Sequence, residues 1–333
     1  MGSTPLNRHV VSACLMMGLF LVLTAACTTG STPKVVPAAP GRIDPALSEM
    51  ILIPSGEFHM GDPYKEGNDD ELPLRRVYVS DFYIDKYLVC GKLWKEVYQW
   101  AKNNGYQFDD SGAAGSDEHP VQSVTWCDVI KWLNARSEKE GRAPVYCTDT
   151  GRTSVYRSGL ATPTKDMVRW EANGYRLPTE TEWEKAARGG RDGHHYPWVS
   201  RGGRFIDHID GGKANYSDSE HRYRQGRTPY TTPVGYYNGR QTPVGPDMIN
   251  GYGLYDMSGN VHQWVWDWYD RAWYGRAMAQ PGDGRGPESG EYKVVRGGCW
   301  NSGPGQLRCA ARSYYGPYDW VNGIGFRAAS NQP

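Results

Sequence analysis

Charge of neither sign is in excess in this chain: 37 Lys and Arg face 37 Asp and Glu. That balance gives no electrostatic case for nucleic acid or for an acidic membrane surface. Leu, Ile and Val are sparse, which argues against a helical bundle. No CxxC pair occurs, and no Cys/His spacing suits zinc. A Gly-x-Ser-x-Gly elbow and a phosphate-binding glycine loop are both missing, so neither a serine-hydrolase nor a nucleotide reading has a motif to stand on. The sequence shows no repeat, and nothing marks a domain boundary inside residues 47–333, although from Gly190 to about residue 249 the chain turns to Gly, Asp, Tyr and Pro with little periodicity.

What is abundant is Gly (41), Tyr (23) and Trp (13). That mixture predicts a loop-rich fold packed with aromatics. The first residues, "MGSTPLNRHVVSACLMMGLFLVLTAACTTG", read as an export signal: Arg8, an apolar run from Val10 to Ala26, then small residues before Cys27. "LTAAC" is similar to a bacterial lipobox, which makes Cys27 the lipidated first residue and 1–26 the signal peptide. Residues 27–46, rich in Thr, Pro and Ala, are expected to form a flexible tether. An exported, lipid-anchored protein of the cell envelope follows, with the outer membrane facing the cell surface as its expected place. Of the seven cysteines, Cys90, Cys127, Cys147, Cys299 and Cys309 remain after processing. Five is odd, so at least one thiol stays free or bonds outside the chain.

Along 47–333 the periodicities alternate between strand and helix. "MILIPSGEFHMGD" (50–62) reads as a strand that turns at Gly61, and "RRVYVSDFYIDKYLV" (75–89) as a second strand pair. "CGKLWKEVYQWAKNNGY" (90–106) sets Leu93, Val97 and Trp100 on one helical face, with "NNGY" as a stop. "SVTWCDVIKWLNARSEKEG" (123–141) is a second amphipathic helix, capped by Ser123 or Thr125 and ended by Gly141. "YRLPTETEWEKAARGG" (175–190) has Pro178 in its first turn, acids early and bases late, as a helix dipole favours. "GLYDMSGNVHQWVWDWYD" (253–270) reads as a turn and a strand, "VVRGG" as a strand and a turn, and "IGFRAA" as a final strand.

These stretches, with "HPVQSVTWCDVIKWLN", "VVRGGCWN", "RCAARS" and "GIGFR", resemble in content and order the formylglycine-generating enzyme (sulfatase-modifying factor) family. The resemblance spans about 50–329. It implies an α+β fold, a variant of the C-type lectin fold, with two helices, short twisted antiparallel sheets and long ordered loops. Members include copper-dependent oxidases of a substrate cysteine, iron-dependent sulfoxide synthases, binding or structural lipoproteins, and the variable proteins of diversity-generating retroelements.

The sites decide among these. The oxidases use two thiolates separated by four residues, between the "GG" turn and "CAAR"; such sulfur ligands suit copper(I). Here that interval is "CWNSGPGQLR" with one cysteine, Cys299, where the family usually has Ser; Cys309 matches the structural "CAAR" position. No catalytic residue is therefore assigned. A loop disulfide or two unrelated buried thiols are the plainer readings of this pair. The iron branch uses HxxxHxE, which is absent, and His194 and His195 read as loop residues.

Calcium in this family is held by loops around "KAN" and "GNVWEW". Here Lys213–Asn215 keep the first, and Asn260 the second, but Gln263 replaces its acid and Gly226 stands near an expected Asp. The resemblance allows one calcium near Asn215 and Asn260; the alternative for Asn215, Asp256 and Asn260 is turn-forming Asx chemistry. No other cofactor is implied.

The segment from about 298 to 324 carries the functional expectation. "SYYGPYDWVNG" (313–323) lies between two family-like anchors and has the Tyr, Trp, Gly, Ser and Asn mixture of antibody paratopes. Variable proteins of retroelements diversify this part of the fold by replacing template adenines. Cys299, Trp300, Asn301, Tyr314, Tyr315, Tyr318, Asp319, Trp320, Val321 and Asn322 form the expected ligand-binding set. The expected function is a non-catalytic surface lipoprotein that grips a protein or other ligand through this segment. A copper-dependent oxidase and a structural envelope lipoprotein are the alternatives.

Overall fold

A strand that breaks at a proline sets up the first third of the fold. The computed structural model describes residues 49–199, 206–219, 221, 223, 228–279 and 284–332. The signal peptide, Cys27 and the tether, like Gly226, lie outside them. β1 (Met50–Ile53) and β2 (Gly56–Met60) are separated by Pro54 and Ser55. Proline has no N–H for a ladder, so the strand splits there. β3 (Arg75–Val79) and β4 (Phe82–Asp85) answer it in continuous antiparallel register, Gly56 opposite Val79 and Ile53 opposite Phe82. The result is one long, kinked hairpin whose two halves enter different sheets, β1 with β4 in one and β2 with β3 in the other.

Helix α1 (Gly91–Asn103) buries Trp94, Val97 and Ala101, while Leu93 and Trp100 are only half-buried. Gly105, at a left-handed φ of 83°, follows its end. Helix α2 (Trp126–Lys139) is capped by Thr125, whose hydroxyl accepts from the Asp128 amide at 3.0 Å. Helix α3 (Glu180–Arg188) begins after Pro178, which was expected in its first turn; Thr179 is the cap and forms a capping box with Glu182. A fourth helix, α4 (Trp273–Ala279), was not anticipated. Four helices are thus present among the described residues, two long and two short, where the resemblance implied two. None is long and apolar enough to cross a membrane.

The C-terminal half builds a four-stranded sheet in the order β7-β6-β5-β8, from β5 (His262–Trp268), β6 (Lys293–Arg296), β7 (Arg312–Tyr315) and β8 (Ile324–Gly325). β5 and β8 run parallel; the other pairs are antiparallel. The expected last strand is in fact two. After β8 the chain crosses to β9 (Ala329–Ser330), which pairs with β4 in the sheet β1-β4-β9. Arg327 lies between the two, fully buried, donating to the backbone oxygens of Asp85 and Tyr255 at 2.9 and 2.7 Å. Those bonds hold the chain at the crossing point.

Aromatics fill the core, as the composition predicts. Trp94 stacks on Trp132 at 5.5 Å, and Phe326 meets both edge-on. The Trp126 indole donates to the Val265 oxygen and the Trp264 indole to the Val124 oxygen, both at 2.9 Å. This exchange fixes α2 against β5, and so fixes the sheet that carries the C-terminal segment.

Candidate functional site

Beneath the C-terminal segment lies a buried ionic frame. Glu180, in the first turn of α3, accepts two bonds from Arg312 of β7, at 2.7 and 2.9 Å. One turn on, Glu184 accepts from the Gly61 amide at 2.8 Å, from Arg188 at 2.7 Å, and from Arg296 of β6. All five side chains are buried. Burial alone would raise the Glu180 carboxyl, but Arg312 and Arg296 outweigh it and hold the group below its ordinary value. Arg308 grips Glu71 through two 2.7 Å bonds. β6 and β7 are therefore tied to α3, and the chain between them is tied through Arg308 to the N-terminal hairpin's connecting segment.

The chain leaves β6 through Gly297 and Gly298, both at positive φ. A Cβ at Gly297 would stand 2.9 Å from the Met257 oxygen, so only glycine lets the turn approach so closely. Cys299, Trp300 and Ser302 then lie under the surface, while Asn301 stays exposed. The Trp300 amide donates to the Asn260 oxygen at 3.0 Å, and the Ser302 hydroxyl lies 3.4 Å from both Cys299 Sγ and His262 Nε2.

Between β7 and β8 the chain makes a loop, Gly316–Gly323, pinned along its length. Gly316 donates to the Asp319 carboxylate at 2.9 Å, and the Cys127 amide donates to the Pro317 oxygen at 3.4 Å. The Ser123 hydroxyl donates to Asn322 Oδ1 at 2.8 Å, and Gly323 donates to Gln122 Oε1 at 2.7 Å. Every one of these bonds ties backbone or a short polar side chain, and none ties an aromatic ring.

The ten expected residues therefore divide. Tyr314, Tyr318 and Trp320 are 45 %, 48 % and 62 % exposed, the largest apolar side chains this segment offers to solvent. Asn301, Asp319 and Asn322 are exposed as well, and Tyr315 and Val321 are half-buried. Cys299 and Trp300 are under the surface. Trp300 packs edge-on against Tyr230 at 5.5 Å, because the turn after Gly298 directs it inward. Two residues outside the expected set join the surface: Tyr269 stacks on Tyr314 at 4.0 Å, and Tyr292 lies 5.2 Å from it. The aromatic run "WDWYD" at the end of β5 was the available signal.

All five described cysteines are free and buried. Cys299 and Cys309 are thus two separate buried thiols and not a loop disulfide, the second of the two readings given for the pair. Burial pushes Cys309 up to about 12 and raises Cys299 despite its bond to Ser302. His195 is a loop residue, as expected, bridging Asp207 at 2.8 Å and Glu66 at 3.0 Å. Burial opposes its protonation, but the two carboxylates prevail and raise its pKa.

Asn215 and Asn260 do meet, yet not as an ion site. Asn260 Oδ1 accepts from the Thr232 amide at 3.0 Å, and Asn215 Oδ1 accepts from Ser219 at 3.3 Å and lies 3.0 Å from His221 Nε2. Gln263 Oε1 accepts from Trp183 and Arg327, both at 2.8 Å, and its amide donates to the Asp256 oxygen. No three His, Cys, Asp or Glu side chains gather as metal ligands among the described residues. Calcium wants six to eight oxygens with charge among them, and the donor set here does not fit it. Asp256 and Asn260 both adopt left-handed φ, in keeping with Asx turn chemistry.

The model of the sulfatase-modifying factor enzyme 1-like domain matches residues 37–332. The chain is 31% identical over 327 residues to the chaperone protein LppX of Paenibacillus barcinonensis, covering 92% of this chain and 94% of that one. It is 32% identical to the formylglycine-generating enzyme of Streptomyces coelicolor, covering 89% and 95%. Among solved structures, variable protein 1 of Treponema denticola superposes with a TM-score of 0.60 at 26% identity, over 85% of this chain and 94% of that one. The fold is accordingly the C-type-lectin-like one that these proteins share.

Proposed function

The chain belongs to the sulfatase-modifying factor enzyme 1-like family, and on that premise we propose that it is a binding member and not a catalytic one. It is a bacterial lipoprotein, exported and held at the envelope by lipid on Cys27, that grips a protein or other ligand with the surface of Tyr314, Tyr318, Asp319, Trp320 and Asn322. The signal peptide (1–26), the tether (27–46) and the domain (47–333) make up its parts. The carrying observation is a contrast at one surface: a loop pinned at Gly316, Pro317, Asn322 and Gly323 that bears the exposed rings of Tyr318 and Trp320, beside the half-exposed Tyr314 of β7. An ordered loop limits the entropy lost on binding, and exposed Tyr and Trp supply hot-spot area. Likeness to the Treponema variable protein supports a diversified surface.

Likeness to true formylglycine-generating enzymes keeps the oxidase as the competing reading. Against it stand the buried, protonated thiols of Cys299 and Cys309, which are poor ligands for a soft metal. The deciding experiment sequences this gene and its surroundings in several isolates. Differences confined to adenine-templated codons between Gly298 and Ile324, beside a reverse transcriptase and a near-copy template, are expected. Identical segments, together with copper-dependent oxidation of a cysteine peptide by the purified protein, would overturn the reading.

A further inference from the structure

One cavity of the described fold is remote from the C-terminal loop. It is a groove of about 870 Å³ that follows β3. Every residue from Arg75 to Asp81 lines it, inward-facing and outward-facing side chains alike, so it runs along the edge of the strand. β3 pairs with β2 on one edge only, in a two-stranded sheet, and no further strand meets its other edge among the described residues. Trp170, Thr181 and Trp273 stand across the groove. A strand edge facing a trough wide enough for another chain is the geometry of β-strand addition, in which the ligand's main chain supplies the hydrogen bonds.

The charges along the groove give it a direction. Arg75, at the start of β3, is 8 % exposed, and its Nε is buried without a hydrogen-bond partner. Its guanidinium touches only Met60 Sδ, at 3.3 Å, and the face of Tyr274, at 4.8 Å. The carboxylate it influences, Glu180, is already held by Arg312 and Arg296. The other cations of the groove are engaged: Arg176 by Glu182 at 2.7 and 2.8 Å, Arg76 by Glu57, and Arg285 over the Trp170 ring. Asp81, at the opposite end of the strand, is exposed. One end thus offers an uncommitted cation and the other an anion.

We propose that this groove binds an extended peptide segment antiparallel to β3, with the peptide's C-terminal carboxylate on Arg75 and its basic end toward Asp81. An antiparallel strand places its C-terminus beside the start of β3, which is where Arg75 sits. Six residue steps at about 3.3 Å give the groove a reach of roughly 20 Å, so it takes about seven residues. The exposed ring of Tyr78, at 63 %, lies beside one face of such a strand. The site is separate from the C-terminal surface and does not rest on it.

The test uses the purified full-length chain and a heptapeptide of one lysine, alternating threonine and valine, and a terminal glutamate with a free carboxyl group. Its partner peptide ends in glutamine amide. Isothermal titration is expected to show saturable binding of the first peptide, with the second at least about ten-fold weaker, since charge-assisted hydrogen bonds to a guanidinium are the stronger kind. Amide exchange is expected to slow across residues 75–81. Arg75→Gln is expected to bring the two peptides to equal affinity. Tyr78→Ala, which alters an exposed side chain and spares the fold, is expected to weaken both, and Trp320→Ala to change neither. Absence of saturable binding up to about 1 mM, equal affinity for the two peptides, or slowed exchange at residues 313–323 in place of β3 would overturn the proposal.

Discussion

The ionic frame around α3 and the aromatic loop over the sheet meet at β7, where Arg312 of the frame stands just before Gly316 of the loop, and they are opposite in design. In the frame, Glu180, Glu184, Arg296 and Arg312 are all buried, and each charge is matched. Removing one partner leaves the others unpaired in a dry interior. In the loop, the matched groups are backbone amides and short polar side chains, and the large side chains are left free. The frame tolerates no substitution cheaply, whereas the loop tolerates many. That difference is what a scaffold needs if recognition is to change while the fold stays fixed.

The sharpest way to break the comparison is Glu184→Ala. It strips a carboxylate from Arg188, Arg296 and the Gly61 amide, and should cost about 3–5 kcal/mol in urea unfolding. Acid should come next. Burial depresses His262 from 6.5 to about 4, so the unfolded chain binds the extra proton between those values. Stability present above pH 6.5 is then lost as pH falls to 4, by about 3 kcal/mol, and His262→Gln should flatten that part of the profile.

For the loop the expectation reverses. Trp320→Ala and Tyr318→Ala should shift stability by no more than about 0.5 kcal/mol, while weakening ligand binding by about 30-fold or more where the ring is a hot spot. Tyr314→Ala should lie between, at about 1 kcal/mol, because it also loses its stack on Tyr269. A stability loss at Trp320 as large as that at Glu184 would erase the distinction. The smallest effect is expected from calcium: adding it, or chelating it, should leave the melting temperature unchanged, since the Asn215 and Asn260 oxygens already have donors.

Much of the fold was legible because local chemistry and tertiary packing agree. Thr125 caps α2 where a helix start was expected, and the alternation of Val77 and Val79 does face the core. What was not legible depended on partners distant in sequence. Nothing near Ile324 announces that "IGFRAA" serves two sheets; that follows from Arg327 bonding to the oxygens of Asp85 and Tyr255, some seventy and more residues away. Helix α4 is only seven residues long, with too few turns to show a period. In the site, exposure of Tyr314, Tyr318 and Trp320 followed from composition. The burial of Trp300 did not, because the direction of the chain after Gly298 is set by contacts with Asn260 and Tyr230.

The placement of β7 and β8 at opposite edges of their sheet has a consequence for length. The eight residues from Gly316 to Gly323 must bridge the full width of four strands. Three interstrand steps come to about 14 Å, while eight residues can stretch to roughly 28 Å. The arc therefore has slack in reach, but its pins at Gly316, Asn322 and Gly323 consume that slack at fixed positions. Insertions would lift the pins out of step with Ser123 and Gln122. If this surface is diversified as proposed, change is confined to the identity of the side chains, as in a keyboard whose keys are fixed in number and only relabelled.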